Sequence, residues 1–404
     1  MKYLISSILI LCFSVQFEAQ HCIGERYSEN ALFEYDQIIS QLDVPYGNAN
    51  QFFTNQDVEL VMDVYYPDPA IDPIEGRPFI LNIHGGGFIS GDKNELTYQS
   101  IEFAKRGFVV ANMNYRLGWN CDNVICVNCY GSNLQRAMYC AVQDARAALR
   151  FAKSMQSTWG IDENHVFLSG ESAGSITAML CTFWDQDEAN AQVAEGFSDL
   201  VGLLDNSGNS LTETFVIKAV LDQCGAIPLL EDMLNNPEIA YIGFHDSNDC
   251  VVPYDTGPLI ACFCSGFLSF RGSHTIHTTR IANGLCSELH TAPQILPNHC
   301  TYPDNGIVAL GSCFFKRHMC GFCMNFDDDN IYATPICSAL QQTTFDIYGC
   351  TYFSAMNYDP SATIDDGSCY WADGLYCPAD LDVNGVVGVS DLIILIGNYG
   401  VICD

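Results

Sequence analysis

The chain has 404 residues, of which 49% are apolar, enough for a full-sized core with appendages and too many for a mainly disordered protein. Its 16 basic against 48 acidic side chains give a net charge of -32, a surface that repels phosphate backbones and argues against nucleic acid as a partner. The same acidity offers hard oxygens to divalent cations, and it also solvates an exported protein without any ligand.

Residues 1–20, MKYLISSILILCFSVQFEAQ, combine Lys2, an apolar run from Tyr3 to Phe17 and the small Ala19, the pattern of a secretory signal peptide. The run is shorter than the roughly 18 to 20 residues of a spanning helix, and no later stretch is longer. An extracellular protein without a transmembrane segment is therefore expected. Gln20 and His21 before Cys22 argue against a lipid anchor. Loss of the leader takes Cys12 from the 21 cysteines and leaves an even set, so disulfides are expected. Zinc is the alternative at Cys126/Cys129 and Cys320/Cys323.

From Asp57 to Tyr66, Val58, Leu60, Met62 and Val64 alternate, and a Pro/Asp turn leads to the continuous run Phe79 to Ile83. This predicts an antiparallel edge hairpin feeding a buried strand. Further strands are expected at Phe108–Met113, His165–Ser169, Phe215–Leu221 and Ile239–Phe244, with a helix over Ala141–Met155. Alternating strands and helices predict a mostly parallel, doubly wound α/β sheet. Trp119 to Tyr139 reads as a loop stapled by Cys121, Cys126, Cys129 and Cys140, and Asp185 to Glu213 as an irregular acidic stretch.

Gly170-Glu171-Ser172-Ala173-Gly174 directly follows the strand Val166–Ser169 and opens an apolar helix. A serine presented on such a strained strand-to-helix turn stands free as a nucleophile. Upstream, His84-Gly85-Gly86-Gly87-Phe88 ends the buried strand. The N–H groups of Gly86, Gly87 and Ala173 can converge on the oxyanion that forms as Ser172 attacks a carbonyl. A phosphate-cradling loop would need a Lys-Ser/Thr ending that is absent here. His84 reads as structural.

Over residues 45 to 325 the chain resembles the α/β-hydrolase superfamily of carboxylesterases, bacterial members with an HGGG loop in particular, among them acetyl and feruloyl esterases. Gly91-Asp92-Lys93, Asn114-Tyr115-Arg116-Leu117 and Trp159-Gly160-Ile161-Asp162 carry the likeness beside the two glycine motifs. The resemblance implies the chain order Ser, Asp, His. His245-Asp246-Ser247-Asn248-Asp249-Cys250-Val251-Val252-Pro253-Tyr254 is similar to the family's H-G-T-x-D-x-x-V-P-Y segment, which implies Asp249 as the acid, with Asp246 its rival. For the base, Gly272–Gly284 reads as a helix and Leu285–Thr291 as the last strand. His299 falls in the loop beyond that strand and is preferred to His290, although Pro297-Asn298-His299-Cys300 lacks the family's glycine-rich setting. A serine esterase needing no cofactor is expected, acting on a small or polymeric ester. A catalytically inactive binding domain is the alternative, and a peptidase is disfavoured.

The assigned organisation is a leader at 1–20, a hydrolase domain at 21–335, and small modules at 345–372 and 376–404 held by disulfides or calcium. Cys350 to Cys369 resembles the GCT…DDGSC repeat of secreted bacterial proteins. Asp380, Asp382, Asn384, Val386 by its carbonyl, and Asp391 occupy calcium-loop positions one, three, five, seven and twelve, with Gly385 at the turn. The segment resembles half a dockerin. A single copy leaves a cohesin partner doubtful and a structural Ca2+ the expectation.

Overall fold

A computed structural model of the chain describes residues 21–337 other than 23, 120–129, 229–235, 262–267, 295, 332, 334 and 336, together with the backbone at 348–349 and 364–365. Outside them lie the expected leader, Cys121, Cys126 and Cys129, and the calcium ligands Asp380, Asp382, Asn384, Val386 and Asp391. The chain divides into two compact units, Met1–Cys337 and Ser338–Asp404. In the second, Tyr348–Gly349 pairs in parallel with Ile364–Asp365.

The alternating segment is β2 (Gln56–Pro67), and its antiparallel hairpin partner is β1 (Ile38–Gln51), a strand not predicted from the sequence. There follow β3 (Arg77–Ile83), β4 (Val109–Met113), β5 (Ile161–Glu171), β6 (Ile217–Gln223), β7 (Ala226–Pro228), β8 (Ala240–Asp246), β9 (Thr256–Pro258), β10 (Ser269–Gly272), β11 (Ser287–Ala292) and β12 (Phe326–Asp328). Among the described residues nine strands make one sheet, ordered β1-β2-β4-β3-β5-β6-β8-β11-β12 and parallel from β4 onward. The main helices are α1 (Thr97–Ala104), α2 (Gly131–Ser154), α3 (Ala173–Phe183), α4 (Ser273–Ala282) and α5 (Asp304–Met319).

Strand pleating divides the core between the two faces. Phe79, Leu81, Ile83, Val166 and Leu168 pack with the helices α2 and α3. Ile80 and Phe167 pack on the other face with α1 and α5, where Phe167 stacks on Phe315 at 4.2 Å. A mostly parallel sheet covered on both faces in this strand order is the α/β-hydrolase fold.

Two stretches differ from the sequence expectation. Gly131–Tyr139 is helix, the first turns of α2, because Leu134, Ala137, Met138 and Ala141 recur at helical spacing and are all buried. Within the acidic stretch, Gln186–Gln192 is a helix, since Asp185 and Glu188 form a reciprocal capping box that satisfies its first N–H groups. Phe197–Val201 adds a second short helix.

Cys22–Cys320, Cys224–Cys300, Cys286–Cys323 and Cys313–Cys337 are disulfides. Cys320 and Cys323 thus have separate partners, which overturns the zinc alternative there. Cys140 is a buried free thiol rather than a staple, because it faces the core from α2.

His21 Nε2 and His165 Nδ1 lie 2.9 and 2.6 Å from one Asp162 oxygen, tying the N-terminal segment to the start of β5. Burial lowers the pKa of His21, His84, His277 and His318, the last to about 4. The unfolded chain protonates these groups from about pH 6.5 downward, and the folded chain does so only at lower pH. Stability should therefore be complete above that pH and fall on acidification, by up to about 1.4 kcal/mol per pH unit for each group. Thermal unfolding between pH 7.5 and 4 checks this; an unchanged midpoint from pH 7.5 to 5 would refute it.

Candidate active site

The site begins at the end of β5, where Ser172 has φ 52° and ψ -117°, a left-handed conformation that costs a non-glycine residue energy. Its neighbours hold it there. Ser172 N donates to Gln223 O at 2.8 Å, and its carbonyl accepts from Ile176 N to start α3. A Cβ on Gly174 would stand 2.0 Å from Ile83 O, so only glycine lets the helix come this close to β3.

His299 stands in the loop after β11. Its Nε2 lies 2.9 Å from Ser172 Oγ and its Nδ1 2.6 Å from Asp249 Oδ2. A carboxylate oxygen only accepts, so Nδ1 carries the proton and Nε2 presents its lone pair to the serine hydroxyl. Asp249 Oδ1 accepts from Val251 N at 2.8 Å and Val252 N at 3.0 Å. Burial by itself would raise the Asp249 carboxyl, but hydrogen bonds from His245 and His299 outweigh it and hold the pKa below the ordinary value.

The glycine loop abuts the nucleophile: a Cβ on Gly85 would lie 3.4 Å from Ser172 Cβ. Gly86 has φ 101°, and its carbonyl accepts from Ile89 N and Ser90 N at 3.0 Å, which folds the loop into a tight turn. Tyr115 OH donates to His84 O at 3.0 Å, and its ring stacks on His84 at 4.5 Å. Arg116 in turn binds the buried Asp144 of α2, Nη2 to Oδ1 at 2.7 Å. The Asn-Tyr-Arg motif thus props up the glycine loop.

The rival candidates lie elsewhere. His290 is fully buried in β11, stacked on Phe244 at 5.1 Å. Asp246 accepts from Thr301 N at 2.8 Å, so it braces the His299 loop instead of touching the imidazole. His274 bonds Asp255 on the surface and His277 bonds Ser287.

Sequence reasoning missed the disulfide Cys224–Cys300, whose second cysteine follows His299. Cys224 and Cys300 both have positive φ, 50° and 53°. The absent glycine-rich setting is thereby accounted for: a cysteine pinned by its bridge holds the conformation a glycine would adopt. The adjacent pair His299-Cys300 was the visible signal. Replacing both cysteines by alanine should cut turnover about 10- to 100-fold by displacing His299 and remove about 4 kcal/mol of stability for this span. Cys224→Ala with Cys300→Gly should recover part of the turnover, because glycine accepts that φ. Steady-state kinetics and melting of the two double variants test it, and full activity in the alanine pair would contradict it.

The family described as BD-FAE matches residues 62–249, from β2 through the glycine loop and Ser172 to Asp249. Para-nitrobenzyl esterase of Bacillus subtilis is 34% identical over 126 residues, 30% of this chain and 24% of that protein. The crystal protein of Dictyostelium discoideum is 28% identical over 179 residues, 44% of this chain and 31% of that protein. The chain thus spans less than a third of these relatives. Esterase 2 of Thermogutta terrifontis, solved with propionate bound, aligns with a TM-score of 0.47 at 18% identity, covering 72% of this chain and 97% of that one.

Proposed function

We propose that this chain is a serine carboxylic-ester hydrolase. The observation that carries the reading is the unbroken relay from Ser172 Oγ through His299 to Asp249, set at a strained elbow against a glycine loop. His299 Nε2 takes the Ser172 proton as Oγ bonds to the ester carbonyl carbon. The N–H groups of Gly86, Gly87 and Ala173 hold the oxyanion. Collapse breaks the bond to the alkoxy group, which leaves with the proton from His299. Water, deprotonated by the same imidazole, then releases the acid and restores Ser172. The similarity to the para-nitrobenzyl esterase supports ester over amide substrates.

Beside Ser172, burial raises the Glu171 carboxyl, and the Asp304 and Glu95 charges add to that rise although His299 opposes it. The Asp304 and Glu95 charges felt at Glu171, which adjoins Ser172, favour esters that bear no negative charge. Acylated polysaccharide, a lipid ester or a polyester fit this description. In the same reading the protein is secreted, and Asp380, Asp382, Asn384, Val386 and Asp391 hold a structural calcium in the terminal module.

The test is a serine-directed phosphonate followed by peptide mass mapping, together with a panel of acyl chain lengths and polymer-linked esters. Adduct on Ser172 with turnover of some panel member is expected. An unlabelled Ser172 and no turnover would favour the alternative, a hydrolase fold used for binding.

A further inference from the structure

His245 closes β8 with 1% of its surface exposed and is not one of the three triad residues. Its Nε2 lies 3.2 Å from Asp249 Oδ2 and 3.2 Å from Val252 O. Both partners only accept, so Nε2 carries a proton and donates. Ser273 Oγ on α4 donates its one proton to Asp222 Oδ2 at the end of β6 at 2.6 Å, which leaves a lone pair to accept from His245 Nδ1–H at 2.6 Å. Asp222 is fully buried. It also accepts from Tyr241 OH at 2.5 Å, Gly225 N at 2.7 Å and Ser175 Oγ at 2.5 Å. Ser175 sits three residues after Ser172 on α3. The path Ser172, His299, Asp249, His245, Ser273, Asp222, Ser175 is therefore an open chain of polar contacts that ends on the nucleophile's own helix.

We propose that His245 is a positioning residue of the triad: its Nε2–H fixes the Asp249 carboxylate toward His299, and Ser273 and Asp222 fix His245 in turn. The inference rests on the esterase reading above. Asp249 accepts from Val251 N and Val252 N on Oδ1 and from His299 on Oδ2, and the single Nε2–H of His245 is shared between Asp249 Oδ2 and Val252 O, each at 3.2 Å. Without it, Oδ2 retains His299 alone, and the carboxylate, still held at Oδ1 by Val251 N and Val252 N, is less firmly aligned toward His299. A carboxylate relieved of one donor also holds the His299 imidazolium more strongly. The groups that face His245 are Asp249 on its own loop, Asp222 through Ser273, and Tyr254, whose ring stands edge-on at 5.6 Å.

The test uses the full chain with His245→Ala, His245→Gln and Ser273→Ala. His245→Ala should lower kcat about tenfold or more with KM little changed, the pattern of a lost transition-state interaction. The acid limb of its kcat/KM profile should move to higher pH. His245→Gln, whose amide restores a donor, should recover most of the rate, and Ser273→Ala should show the same shift with a smaller loss. Stoichiometric phosphonate labelling of Ser172 checks that each variant is folded. A wild-type kcat and pH profile in His245→Ala, with Ser172→Ala inactive, overturns the proposal; if His245→Ala does not fold, the same result in Ser273→Ala does so. A native chain that neither turns over esters nor labels at Ser172 fails the esterase reading first, and this inference with it.

Discussion

Ser172→Ala is expected to lower kcat for a short-chain p-nitrophenyl ester by about 10⁶, the scale on which loss of the nucleophile acts in serine hydrolases. In the proposed mechanism Ser172 contributes the atom that forms the new bond, and the alanine leaves His299 Nε2 with no proton to take. Residual turnover would come from the oxyanion groups alone. Alanine is also no easier to hold at φ 52° than serine, so the fold should be disturbed little. Matching melting curves with activity lost is the expected pair of results. Retention of more than a hundredth of the native rate would remove Ser172 from the mechanism.

Asp249→Asn should lower kcat by about 10⁴ without unfolding the protein, because an amide presented to His299 Nδ1 can favour the tautomer that puts the proton on Nε2. An imidazole protonated there cannot accept from Ser172. Asp246→Asn separates the two neighbouring acids. Asp246 touches Thr301 rather than His299, so its loss should cost a smaller part of the rate, through slackening of the loop. Steady-state kinetics on the two variants decide between them. An Asp246→Asn loss equal to or larger than that of Asp249→Asn would reverse the assignment of the acid.

The central strands were legible because each carries a short apolar run, Phe79–Leu81, Val109–Ala111 and Val166–Leu168, a pattern that follows from burial on both faces. The elbow and the glycine loop were legible for a different reason. Both need particular residues at adjacent positions, glycine for close approach and serine between them, and adjacency is what a sequence displays. Helix α2 was read short because its first turn, Gly131-Ser132-Asn133, is polar, and the burial of Leu134, Ala137 and Met138 depends on what packs against them.

Asp249 and His299 are 50 residues apart, and Ser172 and His299 are 127 apart. Chain order narrowed the candidates to a few acids and histidines, and the choice among them turned on which loop the fold brings to the C-terminal ends of the strands. His299 was preferred to His290 because it falls in the loop beyond the predicted last strand; in the structure His290 is sealed inside β11 against Phe244 and His299 reaches the serine. The Cys224–Cys300 bridge and the His245–Ser273–Asp222 chain of contacts join β6, β8, α4 and the His299 loop. Local chemistry was thus determined by the sequence itself, through residues that must be neighbours in the chain. Orientation and support of Ser172, His299 and Asp249 were decided by tertiary structure, because hydrogen bonds and disulfides between distant segments depend on packing that no local pattern encodes.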